Sequence, residues 1–191
     1  MEIKERLTEI IVNAVEEDNR TAAREFLKYN NDISKLAINS VDYIKIIVDI
    51  ELDFGIELQD ELYEMTYFSF FDLLYEYVEE CVTEKTGGIR LLGKLRKIKV
   101  VEDNIYQAVS ECCSGDTIEN LKIIRDLNRI LLDLGRLDKI LAKLNRVYGV
   151  KLEREHIINQ ELGNINYLSR YIYENKSGGE EIGTLQKERI L

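Results

Sequence analysis

The chain has no proline and no tryptophan, a single histidine and three cysteines in 191 residues. At an average usage of about 5%, a chain of this length carries roughly ten prolines. Their absence excludes proline-punctuated loops and predicts helices joined by short polar turns. One histidine, His156, leaves no Ser-His-Asp constellation to assemble. The cysteines, Cys81, Cys112 and Cys113, are odd in number, two are adjacent, and none forms a CxxC pair. Neither a disulfide framework nor a zinc site is expected, and no other metal site, which points to a reducing cytoplasm. No apolar run approaches the roughly 18 residues of a membrane span, so no membrane partner is expected. Met1-Glu2-Ile3-Lys4-Glu5 is charged at once and no apolar stretch follows, so export is not expected. Positive charge is scarce: 26 Lys and Arg stand against 36 Asp and Glu, a net charge of −10. That balance disfavours a nucleic-acid binder, because phosphate binding relies on Lys and Arg.

What is present is enough apolar material for a core, 45% of residues, in a length suited to one domain or two small ones. The acid is concentrated. Residues 1–81 hold 7 basic and 20 acidic residues, and residues 82–191 hold 19 and 16, so the first part is −13 and the rest +3. An asymmetry of this size predicts two units with different partners. Residues 82–99 hold six Lys and Arg against one Glu, with Gly87, Gly88 and Gly93. They read as a basic linker running into the next helix. Ser177-Gly178-Gly179 opens a C-terminal tail.

Ile3, Leu7, Ile10, Ile11, Ala14 and Val15 recur at helical spacing. Asn30-Asn31-Asp32 marks a loop, and a second helix is expected from Ser40 to Asp53, closed by Phe54-Gly55. Leu62 to Met65 has room for one short turn. Ser69-Phe70-Phe71-Asp72 reads as a helix cap with an acid at the third position, and Phe70, Leu73, Leu74, Tyr77 and Val78 supply the apolar face that follows.

Sliding the chain on itself by 94 residues superimposes Ile11-x-x-Ala14-Val15 on Ile105-x-x-Ala108-Val109. It also brings Leu27-Lys28 onto Leu121-Lys122, Asp32 onto Asp126, Lys45-Ile46 onto Lys139-Ile140, and Phe54-Gly55 onto Tyr148-Gly149. The second half therefore reads as a diverged copy of the first, with ungapped loops.

The stretch from Leu36 through Asn39-Ser40-Val41-Asp42-Tyr43-Ile44 to Phe54-Gly55-Ile56 resembles an acyl carrier protein. That family carries a Ser in Asp-Ser-Leu at the start of its second helix and a Phe-Gly-Ile turn after it. The resemblance covers residues 2–80. Asn39 stands for the usual Asp, Val41 for the usual Leu, and Lys45 where many members have an acid. The resemblance implies a fold of four helices, the third short, and a carrier rather than an enzyme. It implies that a phosphopantetheinyl transferase moves 4′-phosphopantetheine from coenzyme A to Ser40. Acyl- or aminoacyl-loading and thioester-processing enzymes then act on the arm, in fatty-acid, polyketide or nonribosomal-peptide type biosynthesis. A serine at a helix start is exposed, and the positive end of the dipole tolerates a phosphate.

The second helix carries two apolar stripes. Tyr43, Ile46, Ile47, Ile50 and Phe54 follow core spacing, while Val41, Ile44 and Val48 lie close to Ser40. By the same resemblance, Val41, Asp42, Ile44, Val48 and Asp49 dock partner enzymes. In the repeat the first stripe becomes Leu137, Ile140, Leu141, Leu144 and Tyr148. The second becomes Gly135, Asp138 and Ala142, and Ser40 becomes Leu134. Packing is kept while the attachment site is lost, so the second unit reads as a carrier-like fold that cannot be loaded.

The expectation is thus an all-α chain of two tandem four-helix carrier-like bundles. The first, 1–81, is loaded at Ser40; 82–99 is a linker; 100–175 serves docking or scaffolding; and 176–191 is a tail. The alternative is a non-covalent helical adaptor or regulator in which Ser40 is only a helix cap. Gly88 to Leu95 nearly has the spacing of a phosphate-binding loop, but Leu95 stands where Ser or Thr is needed. An acyl chain, if held, is expected to be bordered by Tyr63–Phe68.

Overall fold

The computed structural model describes residues 2–63, 68–84, 88–130, 133–158 and 161–176. Those residues are all-helical, and no strand occurs among them. No described helix is long and apolar enough to cross a membrane. The chain divides into two units, Met1–Leu95 and Arg96–Leu191.

In the first unit, α1 (Ile3–Ala14) packs against α2 (Arg20–Tyr29), α3 (Ser40–Phe54) and α4 (Phe71–Glu84). Leu7 and Ile11 of α1, Ile47 and Ile50 of α3, and Leu74, Tyr77 and Val78 of α4 are essentially closed to solvent. Each fully buried aliphatic side chain contributes about 1.5–3 kcal/mol. The expected second helix runs one residue further than Asp53 and ends at Gly55, whose φ of +64° is the left-handed value that glycine accepts without strain. Helix α2 was not foreseen. Its stretch is polar, burying only Ala23 and Leu27, and Arg24 fixes it to α1 through both oxygens of Glu9 at 3.0 and 2.7 Å.

The start of α4 is at Phe71, two residues past the expected cap Ser69, and its first amides are satisfied from another part of the chain. Asn31 accepts from the amides of Phe71 (backbone oxygen, 2.7 Å) and Asp72 (side-chain oxygen, 2.7 Å). Of the basic segment 82–99, residues up to Glu84 complete α4 and those from Ile89 belong to α5 (Ile89–Ser110). The start of α5 is held within the first unit by the buried carboxylate of Glu80, which accepts from the amides of Arg90 and Leu91 at 2.9 and 3.1 Å.

In the second unit, the rest of α5 is followed by α6 (Gly115–Ile124), α7 (Leu134–Tyr148), α8 (Arg154–Ile158) and α9 (Ile165–Asn175). Its core gathers Val101, Ile105, Leu121, Ile140, Leu144 and Leu168, among others.

The register of the internal repeat recurs in the elements. Helices α3 and α7 each have 15 residues and begin 94 residues apart. The isolated bridges Asp32–Phe70 and Asp126–Asn164 keep the same shift, as do the left-handed Gly55 and Gly149. One tie survives a change of residue. The Glu51 carboxylate accepts from the Leu58 amide at 2.9 Å, and Asn145 accepts from the Leu152 amide at 2.7 Å. The tail from Ser177 onward lies outside the described residues.

Candidate functional site

Ser40 is the first residue of α3. The residue that caps the helix is Asn39, whose side-chain oxygen accepts from the amides of Val41 at 2.9 Å and Asp42 at 3.0 Å. Asn39 has the extended backbone of a cap, with φ −85° and ψ 173°. Ser40 is therefore not the cap. It is exposed, and among the described residues no hydrogen bond engages its hydroxyl. Two amides that the sequence left open to an anion at this helix start are already taken by Asn39. A phosphodiester on Ser40 would lie toward solvent, stabilised by the helix dipole alone.

The two stripes of α3 separate as the spacing predicts. Tyr43, Ile46, Ile47 and Ile50 are buried, and Phe54 is half-buried beneath the Arg6 guanidinium, 4.3 Å from its ring centre. Val41, Ile44 and Val48 are 61%, 46% and 39% exposed. Leu52, missed in the sequence reading, is 77% exposed and lies one turn beyond Val48. Its signal was the i, i+4 spacing from Val48. These four apolar side chains form one ridge facing away from the core.

The acids beside the ridge differ in their surroundings. Asp42 is bound by Asn39 and by Lys45 at 3.0 Å. Asp49 is exposed. Asp53 accepts from Arg6 Nε at 2.7 Å, and this bond holds its carboxyl below the usual carboxylate range. The Glu51 carboxylate, already bound to the Leu58 amide, also accepts from the Tyr63 hydroxyl at 3.1 Å, tying α3 to the turn that follows it. Tyr63 is pushed up, first by burial and then by its bond to Glu51.

Between α1, α3 and α4, the seam lined by Ile11, Ile33, Tyr43, Ile46, Ile47, Phe68 and Leu74 encloses about 10 Å³. That is about the room for one water, so the helices would have to part to admit an acyl chain there. Residues 64–67 of the expected border lie outside the described residues.

The remaining candidates carry no constellation. Gly88 has a φ of +68° and is followed at once by helix from Ile89, so no loop is left to wrap a phosphate. His156 Nδ1 accepts from the Glu153 amide at 3.1 Å, a local bond at the start of α8. Cys81 is buried, Cys112 and Cys113 are half-buried, and burial pushes the Cys81 and Cys113 thiols up. No group of His, Cys, Asp or Glu among the described residues is arranged to hold a metal.

In the second unit, Asp133 caps α7 through the Arg136 amide at 2.9 Å, and Leu134 occupies the position of Ser40, 52% exposed. The cap is kept and the hydroxyl is gone. No protein-family model, curated protein or solved structure matches this chain.

Proposed function

We propose that the chain is a carrier protein bearing acyl or aminoacyl thioesters on a 4′-phosphopantetheine arm at Ser40. Its two units are then tandem four-helix carrier-like bundles, the second unable to be loaded. One observation carries the reading. An exposed serine with a free hydroxyl opens a helix that another residue caps, beside an exposed apolar ridge, and both features are missing from the repeat. A serine kept only for capping would occupy position 39.

The chemistry asked of the chain is limited. The Ser40 oxygen attacks the phosphorus of coenzyme A that bears the pantetheine. The bond from that phosphorus to the bridging oxygen breaks, adenosine 3′,5′-bisphosphate leaves, and the hydroxyl proton passes to the transferase. The arm supplies a terminal thiol for thioester formation. Ser40 offers the oxygen, Asn39 holds the helix start, and Val41, Ile44, Val48 and Leu52 with Asp42 and Asp49 offer the surface that a transferase or a thioester-processing enzyme would read.

The test is the intact mass after incubation with coenzyme A, magnesium and a promiscuous phosphopantetheinyl transferase. One added phosphopantetheine is expected, and none on Ser40→Ala, whose helical content should be unchanged. Two additions would contradict an unloadable second unit. No addition with several transferases would favour a non-covalent adaptor using the same ridge.

A further inference from the structure

The face of α7 turned away from its core is the counterpart of the ridge on α3, with apolar side chains replaced by small residues and a second cation. Gly135, Lys139, Ala142 and Arg146 are all exposed and stand opposite the buried Leu137, Ile140, Leu141 and Leu144. The residues 94 positions earlier are Val41, Lys45, Val48 and Leu52. Beside them, Asp42 and Asp49 have become Arg136 and Lys143. Arg136 is paired with Asp133 at 3.1 Å, and Lys143 is paired with Glu111. Among the described residues, Lys139 and Arg146 have no carboxylate partner. Ala142 leaves a low surface between these two cations, and Gly135 leaves another one turn before Lys139, which a second helix could approach closely.

We propose that this face docks the acidic α3 face of a second copy of the chain. The spacing supports this occupant. Asp42 and Asp49 are seven residues apart on α3, and so are Lys139 and Arg146 on α7. At 1.5 Å per residue both separations are about 10.5 Å, so both pairs fit one alignment, in which Asp42 exchanges its bond to Lys45 for one to the second copy. With the helices antiparallel, Asp42 at Arg146 and Asp49 at Lys139, Leu52 falls within one residue of Gly135 and Val48 within two of Ala142, so protruding side chains meet recessed surface. The contact is between unlike faces, so it joins copies head to tail. The net charge of −10 on each copy opposes approach, which makes the association weak and dependent on these local pairs. It does not depend on Ser40 being loaded.

Sedimentation equilibrium of the full chain over a range of concentrations provides the test. The average mass should rise above the monomer value of 22.3 kDa. The double variant K139E/R146E should lower the association constant about tenfold or more, since two exposed attractive pairs become repulsive. D42K/D49K should do the same. Mixing the two variants should restore association, because each then offers what the other has lost. Helical content by circular dichroism should be unchanged in both, as every altered side chain is at the surface or half-buried. A wild-type chain that stays monomeric throughout overturns the proposal, and so does association that neither variant weakens.

Discussion

At the scale of single residues, the start of α3 divides two tasks that one serine could have shared. Asn39 satisfies the orphan amides, a service worth about 1 kcal/mol at typical caps, and Ser40 keeps its hydroxyl outside the network. At the other end of the same helix, Arg6 binds Asp53 and lies over the Phe54 ring, tying α1 to α3. That bond sets a pH dependence. Because the Asp53 carboxyl is held below its ordinary value of 3.8, its contribution to stability is present above that value. It is lost as the pH falls through the lower folded value. The carboxyl carbon of Asp53, followed by NMR, should titrate below 3.8, and Arg6→Ala should return it toward that value. An Asp53 that titrates normally in the wild type would mean the ion pair is not formed in solution. The effect on unfolding should be small and reduced by salt, as both side chains reach water.

At the scale of elements, the start of α5 is tied to α4 at two described points, Gly88 against Tyr77 and the Arg90 and Leu91 amides on Glu80. Gly88 adopts φ +68°, and a Cβ added there would meet the Tyr77 ring at 2.3 Å. The ring itself is fully buried, and burial pushes its hydroxyl pKa strongly upward. Glu80, almost closed to solvent, supplies the acceptors for the first amides of α5. Glu80→Ala should cost about 1.5–3 kcal/mol of stability by urea unfolding, the usual range for a charge-assisted hydrogen bond lost at a buried site. Glu80→Gln keeps one acceptor and should cost less. Equal stability of all three proteins would show that water replaces the carboxylate freely. None of this was legible in the sequence. The segment looked like a linker because it is basic and contains glycine, whereas the residue that caps its helix lies ten positions earlier in an apparently ordinary helical face. Helix α2 was hidden for a related reason, since its ties to α1 are the Arg24–Glu9 ion pair and the Arg20 bond to the Asn13 carbonyl, and only Ala23 and Leu27 are buried in place of a periodic stripe. The stripes of α3 were readable because their spacing alone assigns inside and outside, and Leu52 shows where that reading stopped one turn short. Asn39 was read as a departure from a motif, and only geometry reveals it as the cap.

At the scale of the whole molecule, the two units share a framework whose bonds outlast their residues. Asp32–Phe70 and Asp126–Asn164 bridge at matching positions, and Glu51 and Asn145 make the same bond with different side chains. What differs is the surface: the exposed ridge and serine of α3 against the basic, small-residue face of α7. Fixed packing with a changed surface predicts that the second unit is self-sufficient. Its core, from Val101 to Ile172, is drawn from its own helices and the loops between them. Residues 96–176 expressed alone should unfold in one cooperative thermal transition with helical content like that of the same residues in the full chain. A unit of about 80 residues buries only some 60–70% of the surface its chain exposes when unfolded, so the margin is small and a midpoint below that of the full chain is expected. Leu144→Ala should remove about 2–5 kcal/mol by opening a cavity among residues that are themselves closed to solvent, enough to abolish the transition. A fragment that binds a hydrophobic dye and melts without a transition would show that the second core is completed by something beyond its own residues.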